Sequence, residues 1–371
     1  MQDIMRTVVP SDHLLSGAHT YPGVPLAEIG DLFALAHAHS EAIYNSDGSW
    51  GHGFVHDESS ARWRAQFARP EDYVDWPTVR DTARRLAGYA WALDVEPNAV
   101  YQERLSAGVE WLLRQQLPDG SFPWWVSRTG MPNTDHLFYK NGYAGIGLLE
   151  AYRHLPQPRI LEAVRRAADW TARAPVSTNN NYNSLACWIL TAYYRHDPQP
   201  HHLEAAIRMT LEGVLPRHLP NGGWAGHNSW VYYQGIIVSG LAMLLADLPS
   251  DHARLDEIRA CFFQATNNLI LRQGPEGSLL ATFDPQEREE AGRRRVGYER
   301  NPEYLADPHS LLGLLWAHDL LGLDLRPVIL GLASAYASEM RHRGPEQEHD
   351  SHGTDTMTLG YAWRWLARQL T

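Results

Sequence analysis

Four helix-like runs in this chain stop in the same way. The closing segments read YNSDGSW (44–50), QLPDGSF (116–122), HLPNGGW (218–224) and QGPEGSL (273–279). In each, an acidic residue or asparagine precedes glycine, then a small residue, then Trp, Phe or Leu. Asp-Gly and Asn-Gly mark tight turns, because both residue types tolerate the left-handed backbone. One such turn says little. Four of one form make the chain an internal repeat, and a repeat restricts the architecture more than any composition does.

The helical runs between the turns are of two kinds. RILEAVRRAADWTAR (159–173) puts Ile160, Leu161, Val164, Ala168 and Thr171 on one face and Arg159, Glu162, Arg165, Arg166 and Asp169 on the other, so one side is wet. WVYYQGIIVSGLAMLLADL (230–248) is apolar nearly all round and carries Gly235, Ser239 and Gly240; YKNGYAGIGLLEAY (139–152) carries Gly142, Gly145 and Gly147. Interior glycine costs about 1 kcal/mol against alanine, so close approach of neighbouring helices is its expected reason. The one-sided kind is predicted at 25–44, 98–116, 159–173, 202–217, 251–271 and 326–342, and the buried kind at 78–94, 136–153, 181–195, 230–247, 305–321 and 354–369. Short links follow the first five buried helices, and long links follow the one-sided ones. Short links make antiparallel neighbours. The pattern predicts an all-α chain, an (α/α)6 toroid of six inner and six outer helices, as a single domain over 1–371 with residues 1–24 as an N-terminal extension. All six long links then emerge at the N-termini of the inner helices, around one funnel.

A net charge of −11 speaks against nucleic acid or an anionic membrane as partner. Cys187 and Cys261 lie in helical runs and read as buried thiols. The start has no basic-then-apolar leader, and no apolar run reaches membrane-spanning length, so a soluble, cytoplasmic protein without a cofactor or metal is expected.

The six hairpins resemble the six-hairpin glycosidases, including the unsaturated glucuronyl and rhamnogalacturonyl hydrolases. The Gln-x3-Gly-x-Phe segment from Gln116 to Phe122 resembles the QW repeat of squalene-hopene cyclases, and the toroidal polysaccharide lyases share the architecture. The resemblance implies a carbohydrate-active enzyme with its site at the funnel mouth; it does not fix the reaction.

Helix N-termini pointing into one funnel favour anions and developing negative charge, so the polar residues of the long links are the candidates. The first link carries Arg62 beside Asp57 and Glu58, either a charged surface loop or a carboxylate acid with arginines for a substrate carboxylate. The second carries Trp124, Trp125, Asp135 and His136. Asp135 stands where an N-cap belongs, and also where the resemblance implies a catalytic aspartate. The third, with Asn180, Asn181 and Tyr182, has more asparagines than a cap needs. It suits a polyhydroxylated ligand or the neutralising of a uronate, the latter resembling the asparagine stretch of toroidal lyases, which have Asn-Asn-His here. The fourth brings Trp224, His227, Asn228, Trp230, Tyr233 and Gln234, a mixture of aromatic faces and hydrogen-bonding groups that suits sugar rings. Trp224, like Trp50 and Phe122, equally suits a plug between hairpins. The fifth brings Arg300, and the last Asp355, which also suits a cap.

The leading expectation is a glycoside hydrolase for an oligosaccharide, with or without a uronic acid, with Asp135, His227, Tyr233 and Asp355 as catalytic residues. Trp124, Trp125, His136, Asn180, Asn181, Tyr182, Trp224, Asn228, Trp230, Gln234, Arg62 and Arg300 would bind substrate. Two alternatives stay open: a polysaccharide lyase using Asn, Tyr and His, and a terpenoid-cyclase-like enzyme in which aromatic walls steady carbocations.

Overall fold

The computed structural model describes residues 25–50, 78–124, 137–282, 304–342 and 352–369. They form twelve α-helices: α1 (Leu26–Glu41), α2 (Val79–Leu93), α3 (Ala99–Gln115), α4 (Leu137–Tyr152), α5 (Pro158–Arg173), α6 (Asn180–Tyr194), α7 (Pro200–Gly213), α8 (Val231–Asp247), α9 (Leu255–Leu271), α10 (Pro308–Leu321), α11 (Arg326–His342) and α12 (His352–Gln369). The one sheet among the described residues is a two-residue antiparallel ladder in the fifth long link, β1 (Leu279–Leu280) with β2 (Tyr304–Leu305). The alternation of one-sided and buried helices holds. In α5 the buried residues are Ile160, Ala163, Val164, Ala167, Ala168 and Thr171, whereas in α8 burial runs without a break from Gln234 to Leu245.

Local chemistry sets the helix starts. Thr78 caps α2: its hydroxyl oxygen accepts the Asp81 N–H at 3.0 Å, and its O–H donates to the Asp81 carboxylate at 2.5 Å. Asn98 caps α3 by accepting from the Val100 and Tyr101 N–H groups. Asp307 caps α10, with Pro308 in its first turn, and α10 ends at Gly322 in the left-handed region.

The helices cluster into two compact units, one of α1–α5 with α12, the other of α6–α11. In the first, α2 packs on α3, α4 and α12, and α12 on α1. In the second, α8 packs on α6, α9 and α10, and α6 on α7. Glycine marks the closest backbone approaches. A Cβ on Gly88 would lie 2.3 Å from the Thr356 carbonyl oxygen, one on Gly147 2.4 Å from that of Ala83, and one on Gly235 2.4 Å from the Ser310 nitrogen. The inner glycines are where helix backbones touch.

The four turns repeat one another in detail. Gly48, Gly120, Gly222 and Gly277 have φ of +93°, +97°, +81° and +89°. A Cβ on any of them would strike a carbonyl oxygen of the next one-sided helix: Ala107, Arg166, Gln264 and Gly331 respectively, at 2.1 to 2.6 Å. Gln116 donates from one amide nitrogen to the carbonyls of Gly120 (2.9 Å) and Ala163 (2.7 Å), and Gln273 does the same to Gly277 (3.1 Å) and Val328 (3.0 Å). The turns at Gly120 and Gly277 are thereby stapled to the following hairpin. Trp50, Phe122, Trp224 and Leu279 are fully buried beneath these turns, so the large apolar residue closing each motif is a wedge between hairpins. Arg166 departs from its place on the wet face of α5, because it reaches back to donate to the Leu117 and Pro118 carbonyls.

Candidate active site

The second unit holds most of the described candidates. Its third and fourth long links are tied by side-chain amides. Asn180 donates to the carbonyls of Gly213 (3.1 Å) and Val214 (3.3 Å) and accepts from Asn228 at 3.3 Å. Asn181 donates to the Asn228 oxygen at 2.9 Å, and Gln234 donates to the Asn228 carbonyl at 2.9 Å. All four residues are buried. They form one fixed polar layer under the starts of α6 and α8. Asn183, which the sequence reading did not select, binds Ser177, Asn179 and Gly213 and fixes the third link.

Above this layer three aromatic residues open α8. Trp230 and Tyr232 lie 6.0 Å apart between ring centroids with planes 32° apart; Tyr232 and Tyr233 lie 4.2 Å apart at 56°. Each keeps part of its surface open, as does Tyr182 at the start of α6. A strip of half-exposed rings on a rigid helix start suits flat, weakly polar ligand faces. Trp224 is different: its ring is buried and its indole N–H donates to the Val214 carbonyl. It also walls a crevice of about 210 Å³ with Ser229, Arg272 and Thr282, below the roughly 300–1,000 Å³ of ordinary small-molecule sites. Arg272 pins two links together, donating to the Leu280, Ala281 and Ser229 carbonyls and to Asn268. Burial pushes its pKa down to about 10.

Asp307 and His309 went unselected in the sequence, although Asp-Pro before a helix signals a cap. Asp307 accepts the Ser310 N–H at 2.6 Å, and its other oxygen stands 3.9 Å from His309 Nδ1. Ser310 Oγ donates to the Val231 carbonyl at 3.0 Å, which ties the start of α10 to that of α8.

The first unit contains Trp124 and Asp355, together with a group of charges that sequence reasoning missed. Arg84 donates to the Tyr143 hydroxyl at 2.9 Å and lies over that ring at 4.3 Å. Lys140 Nζ lies 3.1 Å from the Tyr139 ring centre and 3.9 Å from that of Trp124. Arg85 is fully buried, donating to Ser40 Oγ and the Asp81 carbonyl. Burial drives its pKa down; the charges of Asp81 and, less strongly, Asp355 oppose that shift. Asp355 is itself fully buried in the first turn of α12. The available signal was four charged residues, Arg80, Asp81, Arg84 and Arg85, on a helix that otherwise reads as buried.

Arg62, Trp125, Asp135, His136 and Arg300 lie outside the described residues, as does the His227 side chain, whose backbone forms part of the short 3-10 turn Gly226–Ser229.

No family model matches the chain, and no curated protein matches it in sequence. Solved structures do match. An unsaturated glucuronyl hydrolase from Streptococcus agalactiae superposes with a TM-score of 0.60 at 11% identity, covering 98% of this chain and 96% of that one. A sugar epimerase from a ruminal bacterium gives 0.60 at 10% identity, covering 91% and 98%. A polysaccharide lyase gives 0.57 at 14% identity, covering 92% and 98%. The fold is that of the (α/α)6 toroid enzymes. Identities this low carry the fold alone. No described helix is long and apolar enough to cross a membrane.

Proposed function

We propose that this chain is a carbohydrate-active enzyme, a glycoside hydrolase for an oligosaccharide that contains a uronic acid. The observation that carries the reading is the strip Trp230, Tyr232 and Tyr233, held on a layer of fixed amides at the start of α8. Aromatic faces stack on pyranose rings, and the fixed polar groups beside them give orientation. The similarity in fold to a glucuronyl hydrolase supports the same reading. In it Asp135 is the general acid and Asp355 the second carboxylate, with Tyr233 and His227 in proton transfer or orientation. Tyr182, Trp230, Trp124 and Trp125 provide ring contacts, with Asn228, Gln234, His136, Arg62 and Arg300 as polar contacts.

The lyase alternative needs an asparagine amide facing a substrate carboxylate. Asn180 and Asn181 direct their amide N–H groups to Gly213, Val214 and Asn228, which favours hydrolysis. A panel of uronate-containing oligosaccharides tests the reading. Release of a reducing sugar without an unsaturated product supports it; an unsaturated uronate product without hydrolysis overturns it. Asp135→Asn should then lower turnover by about 10²-fold or more with an unchanged melting temperature, since asparagine caps as well as aspartate does.

A further inference from the structure

Of the chain's 32 lysine and arginine residues, 31 are arginine, and the single lysine is Lys140. The two side chains differ physically: a guanidinium is a broad plane, whereas an ammonium is a compact point charge. Lys140 is the fourth residue of α4 and is fully buried. Burial takes its charge out of water, and the helix dipole opposes a cation in the first turn. Both effects work against this placement.

Two rings offset them. Lys140 Nζ lies 3.1 Å from the centre of the Tyr139 ring and 3.9 Å from that of Trp124, and cation–π attraction is largest for a desolvated cation. The backbone of the second long link is fixed from two sides. Asn141, next to Lys140, accepts the Phe122 N–H at 2.8 Å, and the Val79 N–H donates to the Trp124 carbonyl at 3.1 Å. Lys140 adds a hold on the indole itself.

Trp124 is only partly buried. The buried ammonium covers part of its ring, so the surface that stays open lies away from Nζ. A carboxylate in contact with that open surface would stand roughly 7 Å from Nζ. Across a ring that excludes water, the attraction at this distance is worth about tenfold in affinity. A second cation joins the same set of rings. Tyr139 stands edge-on to Tyr143, at 6.2 Å and 84°, and Arg84 lies over Tyr143 at 4.3 Å while sharing Asp81 at 3.5 Å. The strip at the start of α8 rests on neutral amides instead.

We propose that Lys140 makes Trp124 the platform for the acidic ring of the substrate, so that this one residue sets the preference for a uronide over the neutral sugar. This role rests on the carbohydrate reading above and deepens it. Lys140 acts through Trp124 and is a positioning residue.

The test is calorimetric binding of methyl glucuronide and methyl glucoside to the full chain. The parent chain should bind the glucuronide about tenfold more tightly. Lys140→Met keeps the length and removes the charge, and should bring the two affinities together. Lys140→Arg should keep most of the preference. A purely structural role would weaken both ligands alike and leave their ratio unmoved. A preference that survives in Lys140→Met overturns the proposal, as does a parent chain without one. Should Lys140→Met fail to fold, the parent chain decides by itself. Grown on lysine labelled with carbon-13 at the ε position, it gives one lysine side-chain signal, which the glucuronide should shift further than the glucoside. Equal shifts overturn the proposal. Hydrolysis is read separately. Uronate oligosaccharides cut without this preference remove the role of Lys140 and leave the hydrolase. The preference without cutting leaves the role and removes the hydrolase.

Discussion

Gly235→Ala is the sharpest test of the helix contacts. The added Cβ would stand 2.4 Å from the Ser310 nitrogen and 2.5 Å from the His309 carbonyl carbon, against the 3.4–4 Å of ordinary contact. Both are backbone atoms on the first turn of α10, so no side-chain rotation relieves the overlap. The two helices must part locally by about 1 Å, which strains the Ser310 Oγ bond to the Val231 carbonyl and loosens Gly313, whose own position lies against the Gly235 oxygen. Overpacking of this kind costs about 1–3 kcal/mol. Overlap with backbone this deep belongs at the upper end of that range; alanine regains up to about 1 kcal/mol of helix propensity, so the net loss should be about 2 kcal/mol, larger for Gly235→Leu. The control is Glu162→Ala on the exposed face of α5, expected within about 0.5 kcal/mol. Reversible urea unfolding with equal m-values reads both. A Gly235→Ala midpoint indistinguishable from that of Glu162→Ala would refute the reasoning.

Further outcomes follow from the same contacts. Gln116→Ala removes two hydrogen bonds and should lower stability by about 1–3 kcal/mol in the same denaturation assay. Glu41 accepts both bonds of Arg104, at 2.8 and 2.7 Å, and these hold its pKa below the usual glutamate range. Its contribution is present above the unfolded-state pKa and lost as pH falls below it, so Glu41→Gln should have a shallower loss of melting temperature below about pH 4.5. Burial pushes both thiols up to about 12. A thiol-reactive dye at pH 8 should therefore label Cys187 and Cys261 only after unfolding.

The helices were legible because their signals are local. Periodicity separated α5 from α8, and proline-marked links set the hairpins. The turns were legible as turns, but their partners were not: nothing near Gln116 in the sequence names the Ala163 carbonyl, and nothing on the wet face of α5 shows that Arg166 bends back to the turn. Trp224 illustrates the limit on aromatic loops, since the same residue type serves as wedge at 224 and half-open platform at 230. The asparagines of the third link outnumber what a cap needs, which the sequence shows, but their role is not legible in it. Their partners are the fold's own carbonyls and one another, and hydrogen-bond capacity alone does not distinguish those from a ligand. The Arg84, Arg85 and Lys140 group escaped because apolar periodicity assigns a buried helix and is silent about charges within it.

The discontinuity of the first unit bears on how a ribosome delivers this chain. The helices of the second unit, α6–α11, follow one another directly in the chain. The first needs α12, because Gly88 on α2 meets the Thr356 carbonyl and Ser40 at the end of α1 meets the Thr356 hydroxyl, 316 residues downstream. The part of the polypeptide made first is therefore the part completed last. Throughout elongation the α12-facing side of α2 waits uncovered, while α6–α10, translated after it, already have one another to pack on. A ribosome stalled before codon 352 would leave a finished second unit joined to an open first one, a nascent chain for a holdase chaperone to shield.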